Sequence, residues 1–470
     1  MRVSRIQIAK SPSPNHVTSS MSETKTQPWS ASSVFADKCV CPIFFVARAC
    51  VPSEYPRACV PSEYPCPVFL LRSCGYLTMS EVLIVGGGIG GLTAALCLAQ
   101  QGQTVQVLEQ APAISEAGAG IQLSPNATRV LFHLGLQGPL TAAAYLPQRT
   151  EIRDWRSGRV ISSNVLGEAV REQYGFPYLH VHRSDLVDVL ERAVRSESRI
   201  TLHVGMRVDT IHQDANAVSL AASDKSFDAD ILIGADGIRS VVRESLFGPE
   251  RATFTGNVAW RMLIPVEDLP AGLLPPVAGV WWGPGRHFVH YFVRRGELVN
   301  CVCVVEQDGW TVESWTEPGN PAELRRAFAG WHSTIQTLID AAKPDSLFKW
   351  ALFDRPPMPE WSRGRTTLLG DACHPTLPFM AQGAAMAIED AAVLAACVAG
   401  GGGRDVITNL DRYAQLRRAR TAGIQLGSRR NATIFHLSGI KAWLRNRAAG
   451  RAASGRLDGI FRYDALRAHE

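Results

Sequence analysis

From position 79 onward the apolar residues follow two rhythms. The first is a short, unbroken apolar run, then glycine, then a helix-like stretch. Val82 to Val85 followed by Gly-Gly-Gly-Ile-Gly-Gly and Leu92 to Gln101 sets the pattern. Such a run predicts a strand covered on both faces, because only a half-exposed strand alternates. Thr104 to Leu108, Ile231 to Ile233 and Leu368-Leu369 repeat it. Between them, Gly118 to Asn126 reads as a glycine-containing loop that leads into a helix from Ala127 to Gly135. His180-Val-His ends an extended segment, and Ser184 or Asp185 would cap the helix that follows. The second rhythm runs from Val258 to Val305, in short strand-like runs separated by Gly and Pro. That spacing predicts an antiparallel sheet. Along His287 to Val293, period two puts His287, Val289 and Tyr291 on one face and Phe288, His290 and Phe292 on the other. Either histidine reads as a core or surface group, or as a proton-transfer group in a pocket. From Arg417 to Arg451 the chain is basic and partly amphipathic, and reads as a solvated helical face rather than a membrane-surface helix. The fold class expected is α/β, a Rossmann-like domain with an inserted antiparallel-sheet domain and C-terminal helices.

Residues 1–78 follow neither rhythm. They contain a tandem repeat in which residues 48–56 recur as 57–65, and prolines interrupt each candidate element. This leader is expected to be disordered, and either a targeting segment or untranslated, with Met79 as the favoured start. Dividing the chain there changes its electrostatic character. The leader carries eight Lys or Arg against four Asp or Glu, most of the formal net charge of +5. The remainder is close to neutral, which argues against a nucleic-acid partner. Six of the eleven cysteines also lie in the leader, at spacings unlike those of a zinc module. Cys301 and Cys303 would share one strand face, as buried, reduced thiols of a cytoplasmic protein. No run approaches the roughly 18 apolar residues of a membrane span. Asn126 and Asn431 match the glycosylation pattern and are discounted for want of any secretory feature.

Three motifs carry chemistry. Gly86-x-Gly88-x-x-Gly91 falls between a strand and a helix, where Gly86 permits the turn, Gly88 admits a pyrophosphate and Gly91 lets helix and sheet approach. Free amides at the helix start would face the phosphates. Glu109 ends the next strand, where a carboxylate can hold an adenosine ribose. Gly234-Ala-Asp236-Gly237 and Gly370-Asp371 also stand at strand ends, where open α/β sheets bind ligands. The helix expected to begin near Gly383 offers amides and a partial positive charge to an anionic group.

In this order the three motifs resemble class A flavoprotein monooxygenases of the p-hydroxybenzoate hydroxylase fold, across roughly residues 79–450. The segment from Asp371 to Gly383 is similar to that of salicylate and 3-hydroxybenzoate 6-hydroxylases and of 6-hydroxynicotinate 3-monooxygenase. The resemblance implies an FAD-binding domain from 79–150, 178–250 and 356–400, a substrate domain from 151–177 and 251–355, and a helical segment at 401–470 whose basic stretch from Arg417 to Arg451 packs across the two domains. It implies that Glu109 holds the adenosine ribose, that Gln110 beside it also binds the cofactor, and that Arg183 and Asp371 hold the ribityl and pyrophosphate region. Gly383 and Ala384 would meet the flavin pyrimidine edge, and Asp236 and Gly237 are associated with NAD(P)H use. Arg261, Tyr291 and Pro378 are the candidate substrate-side residues, Arg261 as partner of a carboxylate. Pro378-Phe379 stand where some relatives place a polar Gln or His. No metal is required. The activity implied is hydroxylation of a small phenolic or hydroxyheteroaromatic acid with NAD(P)H, FAD and O2, through a flavin C4a-hydroperoxide. The alternatives are a tailoring or epoxidising monooxygenase and a flavin-binding protein without turnover. A homodimer is the expected assembly.

Overall fold

The computed structural model describes residues 80–114, 119–309, 317–399, 405–450 and 457–470, which fall in one compact unit. The leader, with its repeat, lies outside the described residues. Among those described, the structure is mixed α/β and built on two large sheets.

A six-stranded sheet runs in the order Ser362–Arg363, Thr366–Leu368, Ile231–Gly234, Glu81–Val85, Thr104–Glu109, Ile200–Val204. All neighbours are parallel except the first hairpin. Val82, Leu83 and Ile84 are wholly buried, which is why their run shows no alternation. The helix Ile89–Gln100 lies against this sheet and against the helix Gly383–Ala399. Small residues make that contact close. A Cβ on Gly90 would stand 2.7 Å from Leu369 Cδ2, and one on Gly91 only 1.9 Å from the Gly86 carbonyl oxygen.

An eight-stranded sheet holds Glu317–Pro318, Phe348–Asp354, Thr253–Pro265, Leu298–Glu306, Arg286–Val293, Val277–Gly283, Arg149–Asp154 and Val160–Val165, in that order. It is antiparallel apart from the pair Val277–Gly283 and Arg149–Asp154. One face buries Trp260, Met262, Phe288, Cys301 and Cys303 beneath the helices Pro321–Ala327 and Ser333–Asp340. Both cysteines are free, and burial raises the pKa of each thiol. The other face is left for a cavity.

Three expectations are corrected. The stretch read as a loop contains the strand Gly120–Leu123, paired antiparallel with Leu179–His182. Gly120 N–H also donates to Asn300 Oδ1 at 2.8 Å, a partner 180 residues away that local sequence does not disclose. The helix expected after a Ser184 or Asp185 cap begins at Arg183 and has no side-chain cap. Ser184 Oγ bonds His182 Nδ1 instead, and Asp185 pairs with Arg294 at 2.9 Å. Lastly, the basic segment is not simply a solvated face. Arg417, on the helix Val406–Phe435, is wholly buried and pairs with Glu389 at 2.6 Å and Asp390 at 2.7 Å.

Candidate active site

The carboxyl ends of the parallel strands and the open face of the eight-stranded sheet border one cavity of about 1950 Å³. A pocket for one small molecule spans roughly 300–1,000 Å³, so this volume suits a large ligand together with a second, smaller one.

On the parallel-sheet side the cavity wall is largely backbone. Gly86, Gly88 and Gly90 line it. Gly86 has φ +110°, and an added Cβ would lie 2.4 Å from the Ala235 carbonyl oxygen. Gly88 is the N-cap of the helix Ile89–Gln100. Gly91 does not line the cavity but sits beneath the turn. Glu109 Oε2 accepts from Gly87 N at 2.7 Å and Oε1 from Ala111 N at 2.8 Å. Each carboxylate oxygen retains acceptor capacity toward the cavity. Gln110 is exposed beside it. Asp236 and Gly237 also border the cavity. Asp236 Oδ2 accepts from Val241 N at 2.7 Å, capping the helix Val241–Phe247, while Oδ1 is buried without a hydrogen bond. Burial raises its carboxyl pKa, opposed by hydrogen bonds from Ser240 and the helix amides.

Arg183 and Asp371 face the same space. Asp371 is open to the cavity yet walled by protein, which raises its pKa against the pull of His374 and Arg183. Burial correspondingly lowers that of Arg183, opposed by Asp371. Gly383 and Ala384 start the 17-residue helix Gly383–Ala399, so a second helix N-terminus borders the cavity. A buried polar network fixes its position. Gln382 exchanges hydrogen bonds with Asn126 at 3.1 Å and Ser124 at 3.0 Å, and Asn126 donates to Glu389 at 2.6 Å. Asp390, next in that helix, binds both His374 and Arg417. Cys373, His374 and Asp390 lie close enough to hold a metal ion, but both Asp390 oxygens already accept hydrogen bonds from protein. Asn126, one of the two glycosylation matches, is wholly buried.

On the other side the wall is made of side chains. His287, Val289 and Tyr291 face the cavity, and Phe288 faces the core behind. Tyr291 packs across Gly120, where an added Cβ would lie 2.5 Å from the ring. Burial raises the pKa of its phenol, opposed by Arg261. Arg261 lies 4.6 Å from the Trp350 ring centroid, and its Nε is buried without a hydrogen bond. Burial pulls its pKa down to about 10, with Tyr291 opposing and Arg183 adding. Pro378 opens the turn Pro378–Met380 on the facing loop, and Phe379 of that turn packs edge-on to His287 at 5.1 Å. All the candidate residues except Gly91 therefore border one cavity.

Sequence reasoning missed Arg243 and the Gln382 network. Arg243 donates to the Ala372 carbonyl at 2.9 Å and to the Ile238 carbonyl at 2.9 Å, tying the second motif to the third. Its place after Asp236-Gly237 was visible, but its partner 129 residues away was not.

The residues present fit FAD. A wall of glycine backbone at one helix N-terminus suits a pyrophosphate, a strand-end carboxylate suits a ribose, and a second helix N-terminus suits an anionic ring edge. Comparison with known proteins agrees. Residues 79–425 match the family described as FAD binding domain. The chain is 39% identical over 358 residues to 6-hydroxynicotinate 3-monooxygenase of Pseudomonas fluorescens, covering 75% of this chain and 91% of that one. It is 39% identical over 369 residues to 3-hydroxybenzoate 6-hydroxylase of Polaromonas naphthalenivorans, covering 78% and 90%. The crystal structure of Klebsiella pneumoniae HpxO complexed with FAD and uric acid superposes with a TM-score of 0.74 at 28% identity, over 83% of this chain and 98% of that one. From the glycine wall to the facing sheet, site and comparisons lead to one assignment: the chain belongs to the FAD binding domain family, among the flavoprotein monooxygenases and hydroxylases.

Proposed function

We propose that this flavin monooxygenase hydroxylates a small aromatic acid bearing a ring hydroxyl, phenolic or hydroxyheteroaromatic, using NAD(P)H and O2. The observation that carries the reading is Arg261. It is a guanidinium on the cavity wall, beside Trp350, without a carboxylate partner among the described residues. An uncompensated buried charge is costly. The carboxylate of a ligand would relieve that cost and match the guanidinium bidentately. Tyr291, beside Arg261, and Pro378, on the facing loop, would then bracket the ring.

FAD, when bound, supplies the oxygen and electron chemistry. The chain's part is to bind, orient and keep water out. The amides behind Gly86 and Gly88, with Gly91 holding the helix close, would take the pyrophosphate. Glu109 and Gln110 would take the adenosine ribose, and Arg183 with Asp371 the ribityl region. Gly383 and Ala384 would present amides and a positive helix end to the pyrimidine edge. Asp236 and Gly237 would border the approach of NAD(P)H. The parallel sheet, from 79–150, 178–250 and 356–400, would form the flavin domain, and 151–177 with 251–355 the substrate domain, with 401–470 as the C-terminal helical segment. No helix among the described residues is long and apolar enough to cross a membrane. The reading includes action in the cytoplasm, which the free buried thiols support. It also includes a homodimer, for which exposed Ile440, Trp443 and Leu444 offer apolar surface.

The test is NADH and NADPH consumption by the FAD-loaded protein against hydroxybenzoates, salicylate and hydroxynicotinates, with products analysed by mass. A substrate-triggered rise with a product heavier by one oxygen atom is expected. A flat response across the panel contradicts the small-acid reading and favours a larger tailoring substrate.

A further inference from the structure

The loop that carries Pro378 is held largely from outside. Pro375 and Pro378 lack an N–H, and the turn after Pro378 is closed by Ala381 N–H, which donates to the Pro378 carbonyl at 3.1 Å. Buried carbonyls need donors. Three of this loop's carbonyls take theirs from one side of the helix Val406–Phe435. Gln425 Nε2 donates to the Pro375 carbonyl at 2.9 Å, Ser428 Oγ to the Leu377 carbonyl at 2.6 Å, and Asn431 Nδ2 to the Phe379 carbonyl at 3.1 Å. A carbonyl only accepts, so both amides must present their NH2 groups. Gln425 and Ser428 are buried. Asn431, the second match to the glycosylation pattern, thus has a partner inside the protein.

Helix geometry explains the match. Donors at i, i+3 and i+6 advance about 4.5 Å along the axis and about 60° around it at each step. At a side-chain radius of about 5 Å that is about 7 Å across the helix surface, close to the span of two residues of extended chain. Such a ladder can serve every second carbonyl of a segment that crosses the helix obliquely. Gly427 lets the segment lie close, since a Cβ there would stand 2.8 Å from Met380 Sδ. The loop's other side belongs to the cavity, which Thr376, Pro378 and Phe379 border. It then runs through Ala381, at φ +51°, into the helix start at Gly383. One part of the loop thus walls the ring site, and its end meets the flavin site.

We propose that Gln425, Ser428 and Asn431 are positioning residues that hold the loop from Pro375 to Ala381, and so fix the substrate ring against the flavin edge during oxygen transfer. This rests on the aromatic-hydroxylase reading and deepens it. The three act through the loop's backbone, and Gln425 and Ser428 do not border the cavity at all. A misplacement of about 1 Å in a reacting geometry can cost about 100-fold in rate, and a loosened wall admits water. In coupled turnover one oxygen atom of O2 enters the ring and the other leaves as water. With the loop loose, O2 takes both electrons of NAD(P)H and leaves as hydrogen peroxide, and the ring departs unchanged.

Hydrogen exchange in the FAD-free full chain reads the loop itself, and turnover of the FAD-loaded chain reads the consequence. In Ser428→Ala and in Asn431→Leu, the amides of residues 376–382 should exchange about tenfold faster or more, while the strand Glu81–Val85 exchanges as in the intact protein. Turnover uses the hydroxybenzoate or hydroxynicotinate that most raises NAD(P)H consumption by the intact protein. Both variants should keep FAD content and that consumption within about twofold, whereas hydroxylated product per NAD(P)H falls at least about threefold and hydrogen peroxide makes up the difference. Because Asn431 is only partly buried, its variant decides the matter even if Ser428→Ala fails to fold. Unchanged loop exchange in Asn431→Leu overturns the ladder, and faster exchange with undiminished product yield overturns its part in oxygen transfer. If no ring in the panel raises NAD(P)H consumption, the hydroxylase reading falls, and loop exchange still decides the ladder.

Discussion

The two sides of the cavity are built from different materials. The parallel-sheet side presents glycine backbone, helix ends and strand-end carboxylates, whereas the antiparallel side presents Arg261, His287 and Tyr291 from a pleated face. Backbone recognition depends on local geometry, and local geometry is written in short motifs. A pleated face depends on which strands become neighbours, and no short motif records that. The first side therefore suits a ligand shared by a whole family, and the second a ligand that changes from member to member.

The largest effect that sharpens this contrast is expected at Gly91. A methyl there would lie 1.9 Å from the Gly86 carbonyl oxygen, so Gly91→Ala should prise the helix off the turn. Purified protein should retain almost no flavin absorbance. Normal FAD content would mean that close helix packing does not build this side of the site.

Arg417 tests whether the flavin side is held from outside. Removing one partner of a buried ion pair costs about 3–5 kcal/mol. Arg417→Ala removes the cation that joins Glu389 to Asp390, leaving Glu389 paired with Arg420 alone and Asp390 paired with His374 alone, and the helix start at Gly383 is anchored through the same network. Thermal unfolding should shift down sharply, with FAD loosened. A shift no larger than that of an exposed arginine substitution contradicts this.

On the antiparallel side Arg261→Met should leave FAD in place. It should raise KM for carboxylated rings by about 10- to 100-fold, since each tenfold is about 1.4 kcal/mol. Rings without a carboxylate should be indifferent to the change.

The smallest effect belongs to the hidden face of the same sheet. Burial lowers the pKa of His290 to about 3, from an ordinary 6.5. A depressed folded pKa gives stability that is complete above about pH 6.5. It is lost as pH falls toward 3, because only the unfolded chain takes up the proton. His290→Asn should lessen the acid loss by at most about 1.4 kcal/mol per pH unit and leave substrate binding unchanged. His180, likewise lowered to about 3 by burial, adds to the same acid sensitivity.

Much of this contrast was legible in the sequence. Gly86, Gly88, Glu109 and Asp371, which border the cavity, stand out in the sequence because strand, turn and helix follow one another within a few residues. Period two also placed His287, Val289 and Tyr291 on one face, which proves to be the cavity face. Long-range partners were not legible. Pairing with Leu179–His182 made a strand of part of an expected loop, and Glu389 with Asp390 drew Arg417 out of an expected solvated face. Likewise His436 and Glu306 lie 130 residues apart, and meet only because the C-terminal helix ends beside the sheet. Propensity and periodicity describe neighbours along the chain, whereas these contacts are set by packing.

The central claim is that one cavity binds FAD through backbone on one side and a carboxylated ring through Arg261 on the other. The most direct measurement titrates the FAD-loaded protein and its Arg261→Met variant with paired rings, hydroxybenzoate against the corresponding phenol, following flavin absorbance. The account predicts that the intact protein binds the carboxylated ring at least about tenfold more tightly. It predicts equal FAD content in the two proteins and loss of that preference in the variant. Equal preference in both proteins, or FAD lost with Arg261, would contradict it.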